Sequence, residues 1–560
     1  MEFNLIEKQW IPVLRRDGTP DMIAPHEVTK DFAENPVVSL NAPRPDFNGA
    51  LIQFLIGLVQ TVAAPKNGTE WRKMLVDPPS PEDLLEKFAK VRHAFEFSGD
   101  EPRFMQDFEN FTAVDGGING ILIETPGQNA LVNNTDHFTK RNIVGGLCPI
   151  CCASALFAFQ TNSPSGGPGY MTSLRGGGPL TTLVVGDKHH ETLWQQIYLN
   201  VLEKNKFTNI CGNSSLSEGK YLFPWLGETK KGKRKKGETF YGEDTVPADA
   251  HPAAMFWAMP RRIRLNLKEL SAGTCDVCGS ATDSLITSYK EVPGGASYNG
   301  WFHPLSPHYE QTAKGVTSIL PVHAQPGGLT YRHWLGFVIQ DGNEKKMPAR
   351  IVHEFYGRWN SNWQFRLWAF GYDMDNMKAR CWYESTMPLM CVDALIRVRY
   401  EEQVAGMVKA ASEILSNTRS AIKKAWFRRP GDVKGDTSYI DSSFWQQTEA
   451  GFYLTLSSLN KTLESDDETQ IIGRQWHSVL CSQSMQLFDK YAWEGPIEDT
   501  DPKRVVVARK ELEQYNHGKK IKGLLAIPVV QSGADKKSKG KKEVNKQNLH
   551  PEINNGKEAA

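Results

Sequence analysis

Two Cys-x-x-Cys motifs set far apart constrain this chain more than any other feature: Cys148-Pro149-Ile150-Cys151 and Cys275-Asp276-Val277-Cys278-Gly279. Two thiolates at this spacing chelate one side of a tetrahedron, and two such pairs complete a four-cysteine zinc site. A site of that kind staples distant segments and, being closed, has a structural role. Gly279 after Cys278 suits the tight turn of a zinc knuckle. The same residues also admit four unconnected buried thiols or a redox pair, and Cys152 stands next to the first pair as an alternative ligand. Cys211, Cys381, Cys391 and Cys481 are isolated and read as core residues. Nine cysteines, an odd number, behind an N-terminus with no basic start and apolar run (Met1-Glu2-Phe3-Asn4) point to a reducing cytoplasm, not a disulfide scaffold.

A chain of 560 residues exceeds what one hydrophobic core organises, so two domains are expected. The longest apolar stretch, Phe47 to Ala63, is interrupted by Asn48, Gln53 and Gln60. It falls short of the roughly 20 apolar residues of a membrane span and reads as a buried helix. Phe3 to Leu14 reads as a strand pair or bent strand, closed by the turn Arg16-Asp17-Gly18. Ser80-Pro81-Glu82-Asp83 is a capped helix start. From about 100 to 390, β-like runs such as Leu180–Val185 and Leu335–Gln340 alternate with Gly, Pro and Asn clusters. From about 399 apolar residues recur at helical spacing in runs Val404–Ile422, Phe444–Leu459 and Ile472–Tyr491, with a fourth start at Pro502 behind Asp501. The expected fold is α+β: a large irregular mixed domain over 1–395 carrying the cysteine staple, then an all-α four-helix bundle over 396–530. The Lys-, Gly- and Asn-rich tail, 531–560, is expected to be disordered.

Two glycine-rich segments follow the first cysteine pair: Ser165-Gly166-Gly167-Pro168-Gly169-Tyr170 and Leu174-Arg175-Gly176-Gly177-Gly178-Pro179. They lack the Gly-Lys-Ser/Thr ending of a P-loop, so nucleotide hydrolysis is unsupported. They permit close backbone approach to a phosphate or a groove edge, and equally they read as a pair of ordinary turns. The run Lys230-Lys231-Gly232-Lys233-Arg234-Lys235-Lys236 can neutralise phosphates or form a solvated loop. A formal net charge of +1 argues against a long solitary grip on nucleic acid. No metalloprotease, nucleophile-elbow, kinase or deaminase signature is present, and His189-His190 and His303 are lone histidines. No catalytic residue is assigned.

Taken in order, these segments resemble the CasA family, the large subunit of the type I-E CRISPR surveillance complex Cascade. The resemblance runs from Trp10 to about Tyr515. It is carried by Trp10-Ile11-Pro12-Val13, Phe104-Met105-Gln106, the two cysteine pairs, Leu174-Arg175-Gly176-Gly177 with Pro179 and Thr181-Thr182, His303-Pro304, Ser306-Pro307 and Gly371-Tyr372. It implies a non-catalytic subunit that reads a short motif flanking a double-stranded DNA target from the minor groove. Guide-RNA (crRNA) pairing reads the rest. It further implies promotion of strand separation and R-loop formation, contact with the other Cascade subunits, and recruitment of a helicase–nuclease. By this resemblance Gly166, Gly167, Pro168 and Gly169 probe the groove, with Pro168 where the family has a glycine. Asn376 falls where the family has a glutamine wedge, Asp375 being the alternative register. Lys290 is the nearest substitute for a minor-groove lysine whose aligned position is Val292. Asn133, in Leu131-Val132-Asn133, matches a loop amide that contacts guide RNA. Lys409, Lys423, Lys424, Arg428 and Arg429 of the helical part are candidates for phosphate contact, or a solvated helix face.

Overall fold

The computed structural model describes residues 2–528 except 100–101, 135, 137–140, 142, 168, 187–190, 232–242, 341–344, 359–363, 376–377, 391, 394, 433–434, 463–465 and 495–500. Pro168, Asn376, Cys391, His189-His190, the cationic residues Lys233 to Lys236 and the expected disordered tail lie outside the described residues.

Strands β1 (Ile11–Arg15), β2 (Pro20–Ile23) and β3 (Val37–Leu40) form an antiparallel sheet in the order β2-β1-β3. The expected strand starting at Phe3 begins only at Ile11. The Asn4 carboxamide oxygen accepts from the Ile6 amide at 2.9 Å, which bends the preceding residues into a turn while Leu5 and Ile6 stay buried. Helix α1 (Pro45–Val62) is buried over most of its circumference, as its apolar run requires. Phe54 on α1 is the hub of the core, meeting Trp10, Phe95, Phe104, Phe157 and Trp257 at centroid separations of 5.3 to 6.0 Å, each ring near perpendicular to it. Helices α2 (Gly68–Val76) and α3 (Pro81–Ala89) follow, the latter opened by a reciprocal capping box between Ser80 and Asp83. Helix α4 (Pro149–Asn162) packs against α1.

The rest of the mixed region supplies short strands. Among them are β4 (Thr181–Val185), β5 (Arg262–Leu265), the hairpin β6 (Ser271–Thr274) with β7 (Ala281–Leu285), β8 (Ser288–Val292), and the long hairpin β9 (Arg366–Asp375) with β10 (Lys378–Pro388). β10-β9-β4 form one sheet, and β8 pairs with β5. Leu335–Gln340, expected as β-like, is a tight turn instead, with Leu335 at φ −67°, ψ 137° and a single bridge between Leu335 and Ile339. Gly336 takes φ +87°, which an extended strand does not allow, and Trp334, Leu335, Phe337 and Val338 are buried all round, so the run carries no alternation.

From Arg397 the chain is helical: α5 (Arg397–Trp426), α6 (Ser438–Thr462), α7 (Asp466–Tyr491), α8 (Pro502–Asn516) and α9 (Lys519–Leu524). α5 packs against the other four, and the Asp501 carboxylate caps α8 by accepting from the Lys503 and Arg504 amides. The short α9 lacked a periodic signal. Its end is seated by two glycines: a Cβ added to Gly406 on α5 would lie 2.1 Å from the Leu524 carbonyl oxygen, and one on Gly473 of α7 would lie 2.3 Å from that of Leu525. Tyr331 of the mixed region enters the helices, stacking on Phe452 at 4.3 Å and sharing a 2.9 Å hydrogen bond with the Thr448 hydroxyl. Among the described residues no helix is long and apolar enough to cross a membrane.

Candidate functional site

The cysteine cluster is built by two local structures. Cys148 caps α4, its sulfur accepting from the Cys151 amide at 3.4 Å, so both thiols of the first pair sit in the first turn of that helix. Cys275 and Cys278 occupy the turn between β6 and β7, where Gly279 takes φ +74°. Asp276 docks this knuckle on the approach to α4: its carboxylate accepts from the Gly145 and Gly146 amides at 2.7 and 2.8 Å, and its own amide donates to the Gly146 carbonyl at 3.0 Å. The four sulfurs lie within 4.8 Å of one another, and those of Cys148 and Cys278, 130 positions apart, are separated by 3.8 Å. A regular tetrahedron with zinc–sulfur bonds of about 2.3 Å has edges of about 3.8 Å, so the donor set fits zinc. Hydrogen bonds from the Cys148 and Cys151 thiols hold the Cys275 thiol far below its ordinary value, whereas Cys151, donating to Cys148 and Cys275, is pushed far up. A divalent cation bound there would replace those shared protons and satisfy all four sulfurs together. Cys152 is fully buried, its thiol pushed well up by burial, and stands outside the cluster. The reading of four unconnected thiols is therefore set aside.

α4 leads directly into the first glycine segment. Beneath it lies Arg261, a residue without any motif. Its guanidinium donates to the Pro164 carbonyl at 2.6 Å, the Met171 carbonyl at 2.8 Å and the Glu291 carboxylate at 2.8 Å, and lies over the Tyr170 and Phe159 rings. Arg261 thus ties both ends of the loop to β8. Burial pushes the Glu291 carboxyl up from its usual range, against the opposing pull of Arg261. Gly166 has no room for a side chain, since a Cβ there would lie 2.6 Å from that of Tyr170 and 2.8 Å from the Arg261 guanidinium. Gly167, at φ +93°, faces open space. Arg261 thus holds the described part of the loop from below, while Gly167 leaves its own position bare.

The second glycine segment joins this loop to the tip of the β9–β10 hairpin. A Cβ on Gly177 would lie 3.1 Å from the Pro164 backbone, and one on Gly178 would lie 2.7 Å from the Met374 side chain and 2.8 Å from the Tyr372 carbonyl oxygen. Arg175 pins the segment from inside: fully buried, it donates to Gln53, Thr181 and Ser306. Tyr372 donates to the Asp46 carboxylate at 2.7 Å, which fixes β9 on the start of α1. At the hairpin end Asp375 is exposed, stands opposite Lys378 in the strand register and pairs with Arg380 at 3.6 Å.

The family of CRISPR-associated protein Cse1 matches residues 4–487. The chain belongs to that family. Its fold is similar to Thermobifida fusca Cse1 (TM-score 0.67, 15% identity, 94% of this chain and 98% of that one covered). It is likewise similar to Thermus thermophilus CasA (0.64, 14%, 92% and 99%) and to a chain of a CRISPR RNA-guided surveillance complex (0.64, 15%, 92% and 100%).

The remaining expected site residues of this Cse1-family chain sit on other elements. Lys290 points to the opposite face of β8 from Glu291 and pairs with Asp115 at 3.8 Å. Asn133 is exposed in a turn that Arg141 braces by donating to the Leu131 carbonyl and to Asn134 and Asp136. Lys230 donates to the Asp244 carbonyl and Lys231 pairs with Glu109, so the described start of the cationic run is tied to the protein. On the helices, Lys424 pairs with Glu511 at 2.6 Å, while Arg428 and Arg429 are exposed. Cys211, Cys381 and Cys481 are partly buried, Cys211 and Cys481 packing against the edge of the core, and Cys481 is not isolated: its sulfur lies 3.3 Å from His477 Nε2.

Proposed function

We propose that this Cse1-family chain is the non-catalytic large subunit of an RNA-guided antiviral complex. In this reading it recognises a short motif flanking a double-stranded DNA target, starts strand separation and R-loop formation, and receives a helicase–nuclease. The observation that carries the reading is the continuity from the glycine loop through Gly177 and Gly178 to the β9–β10 hairpin tip. A glycine-rich loop beside the end of a two-stranded hairpin suits a minor groove, whose degenerate code favours shape and backbone approach over dense side-chain readout. Asn376, which follows β9 in sequence, is then the wedge, with Asp375 as the alternative, and Gly166, Gly167, Pro168 and Gly169 face the groove. Lys290 supplies a nearby cation, and Asn133 contacts the guide RNA (crRNA). Zinc bound by Cys148, Cys151, Cys275 and Cys278 fixes the start of α4 and hence the base of the loop. Residues 1–395 form the motif-reading domain. Residues 396–530 form a four-helix bundle from α5 to α8, which meets the other Cascade subunits in the cytoplasm. A net charge of +1 fits DNA binding shared with those partners.

The test is a mobility-shift titration of a guide-loaded complex of the other subunits, with and without this chain, on target duplexes with and without a permissive flanking motif. The reading expects tighter binding from this chain only when the motif is present. Equal binding on both duplexes, with and without the chain, overturns it.

A further inference from the structure

The cluster His477, Cys481 and His517, separate from the four-cysteine site, has no part in the reading above. His477 and Cys481 stand one turn apart on α7 and so share a face, while His517 follows directly on the end of α8. One ligand atom from each lies within 4.8 Å of the others. They border a cleft of about 310 Å³ to which Glu513, Ser482 and Met485 also contribute. His517 Nδ1 lies 2.9 Å from the Glu513 carbonyl, which can only accept, so that nitrogen carries the proton and Nε2 is left with its lone pair. A second ring nitrogen donating to a backbone carbonyl is the arrangement that orients metal-binding histidines. His477 Nε2 lies 2.8 Å from the Asn516 carbonyl and 3.3 Å from the Cys481 sulfur.

The same pair could be read as a cysteine nucleophile with its base. Burial pushes the Cys481 thiol up to about 11 and the His477 imidazole down, the reverse of an activated dyad. A soft, partly open donor set of two imidazoles and one thiol suits a transition ion better.

We propose that His477, Cys481 and His517 form a second metal site, for zinc or a similar divalent transition ion, that ties α7 to the end of α8. On binding, the sulfur–hydrogen bond of Cys481 gives way to a sulfur–metal bond and one proton leaves to solvent. The His477 imidazole stays neutral, its proton moving to Nδ1 as Nε2 turns from the Asn516 carbonyl to the ion. The Glu513 carboxylate or a water completes the coordination.

The experiment strips the full-length chain of metal, equilibrates it with buffered zinc, and measures zinc per chain by mass spectrometry for wild type, His517→Ala and Cys481→Ser. Because His517 is exposed, its replacement leaves the fold intact, which circular dichroism verifies. Both variants are expected to hold one ion fewer than wild type, whatever the four-cysteine site holds, and zinc is expected to raise the melting temperature of His517→Ala by less. Cobalt provides a second readout: the thiolate-to-cobalt absorption of wild type falls in Cys481→Ser. Equal zinc content in all three proteins overturns the proposal.

Discussion

Removing the guanidinium under the glycine loop, by Arg261→Ala, tests how that loop is held. Arg261 and Glu291 side chains are 5% and 17% exposed and 2.8 Å apart. Deleting one partner of such a pair strands the other, a loss of about 3–5 kcal/mol. The Pro164 and Met171 carbonyls lose their donor as well. Urea denaturation at about pH 7.5 is the assay, with the midpoint falling and the slope unchanged. Glu291 gives the effect a sign in pH. Its carboxyl is raised by burial, so the folded chain binds that proton more tightly than the unfolded chain, and this contribution to stability falls as pH rises from the ordinary carboxylate value through the raised one. Without Arg261, which opposes the shift, the window widens upward. The deficit of the variant is therefore larger at about pH 7.5 than at about pH 5, where protonation removes the stranded charge. Adding Glu291→Gln restores part of the stability, with a coupling of about 0.5–3 kcal/mol. A loss below about 1 kcal/mol, or a deficit that does not shrink in acid, refutes the reasoning.

Gly166→Ala forces a Cβ onto Tyr170 and Arg261 and is expected to destabilise by about 1–3 kcal/mol and to weaken motif-dependent DNA binding in the mobility-shift assay. Cys275→Ser, or a strong chelator, is expected to release one zinc and lower the melting temperature of the whole chain, measured by metal analysis and calorimetry. Tyr331→Phe removes the hydrogen bond to Thr448 while keeping the stack on Phe452, for a loss of about 0.5–1.5 kcal/mol in urea titration. Burial holds His308 neutral with its pKa lowered to about 4, so only the unfolded chain gains that proton as pH falls from about 6.5. Stability is lost through that window by up to about 1.4 kcal/mol per pH unit, and His308→Phe, which preserves the stack on Phe302, is expected to flatten the profile.

The parts of this fold legible in sequence are those whose signal is local. Ser80 and Asp501 mark helix starts because a cap acts within three residues, and α5 to α7 show themselves through an uninterrupted apolar stripe. The four cysteines were legible because ligand spacing is itself the chemistry. What escaped is set by tertiary context. Arg261 carries no pattern that separates it from Arg262 and Arg264, and its role exists only once β8 brings Glu291 beneath the loop. Leu335–Gln340 looked like a strand because a short apolar run has no period, and burial all round then favoured a turn. His477 and Cys481 have the spacing of a helical ligand pair, but the third member comes from beyond α8, so Cys481 read as isolated and His477 was not singled out.

The separation of the two cysteine pairs also bears on how the protein is born. Cys148 and Cys278 are 130 positions apart, and at roughly 5–20 residues per second a ribosome releases the second pair on the order of ten seconds after the first. During that interval Cys148 and Cys151 are an incomplete chelate on a nascent chain, open to oxidants and to stray ions. Their proper partners arrive only after both glycine segments and Arg261 have been synthesised. Completion of the cluster thus marks the moment when the loop and its Arg261 anchor are both present, with β8 and Glu291 still to follow, and an oxidising or metal-poor cell would fail this chain first at that step.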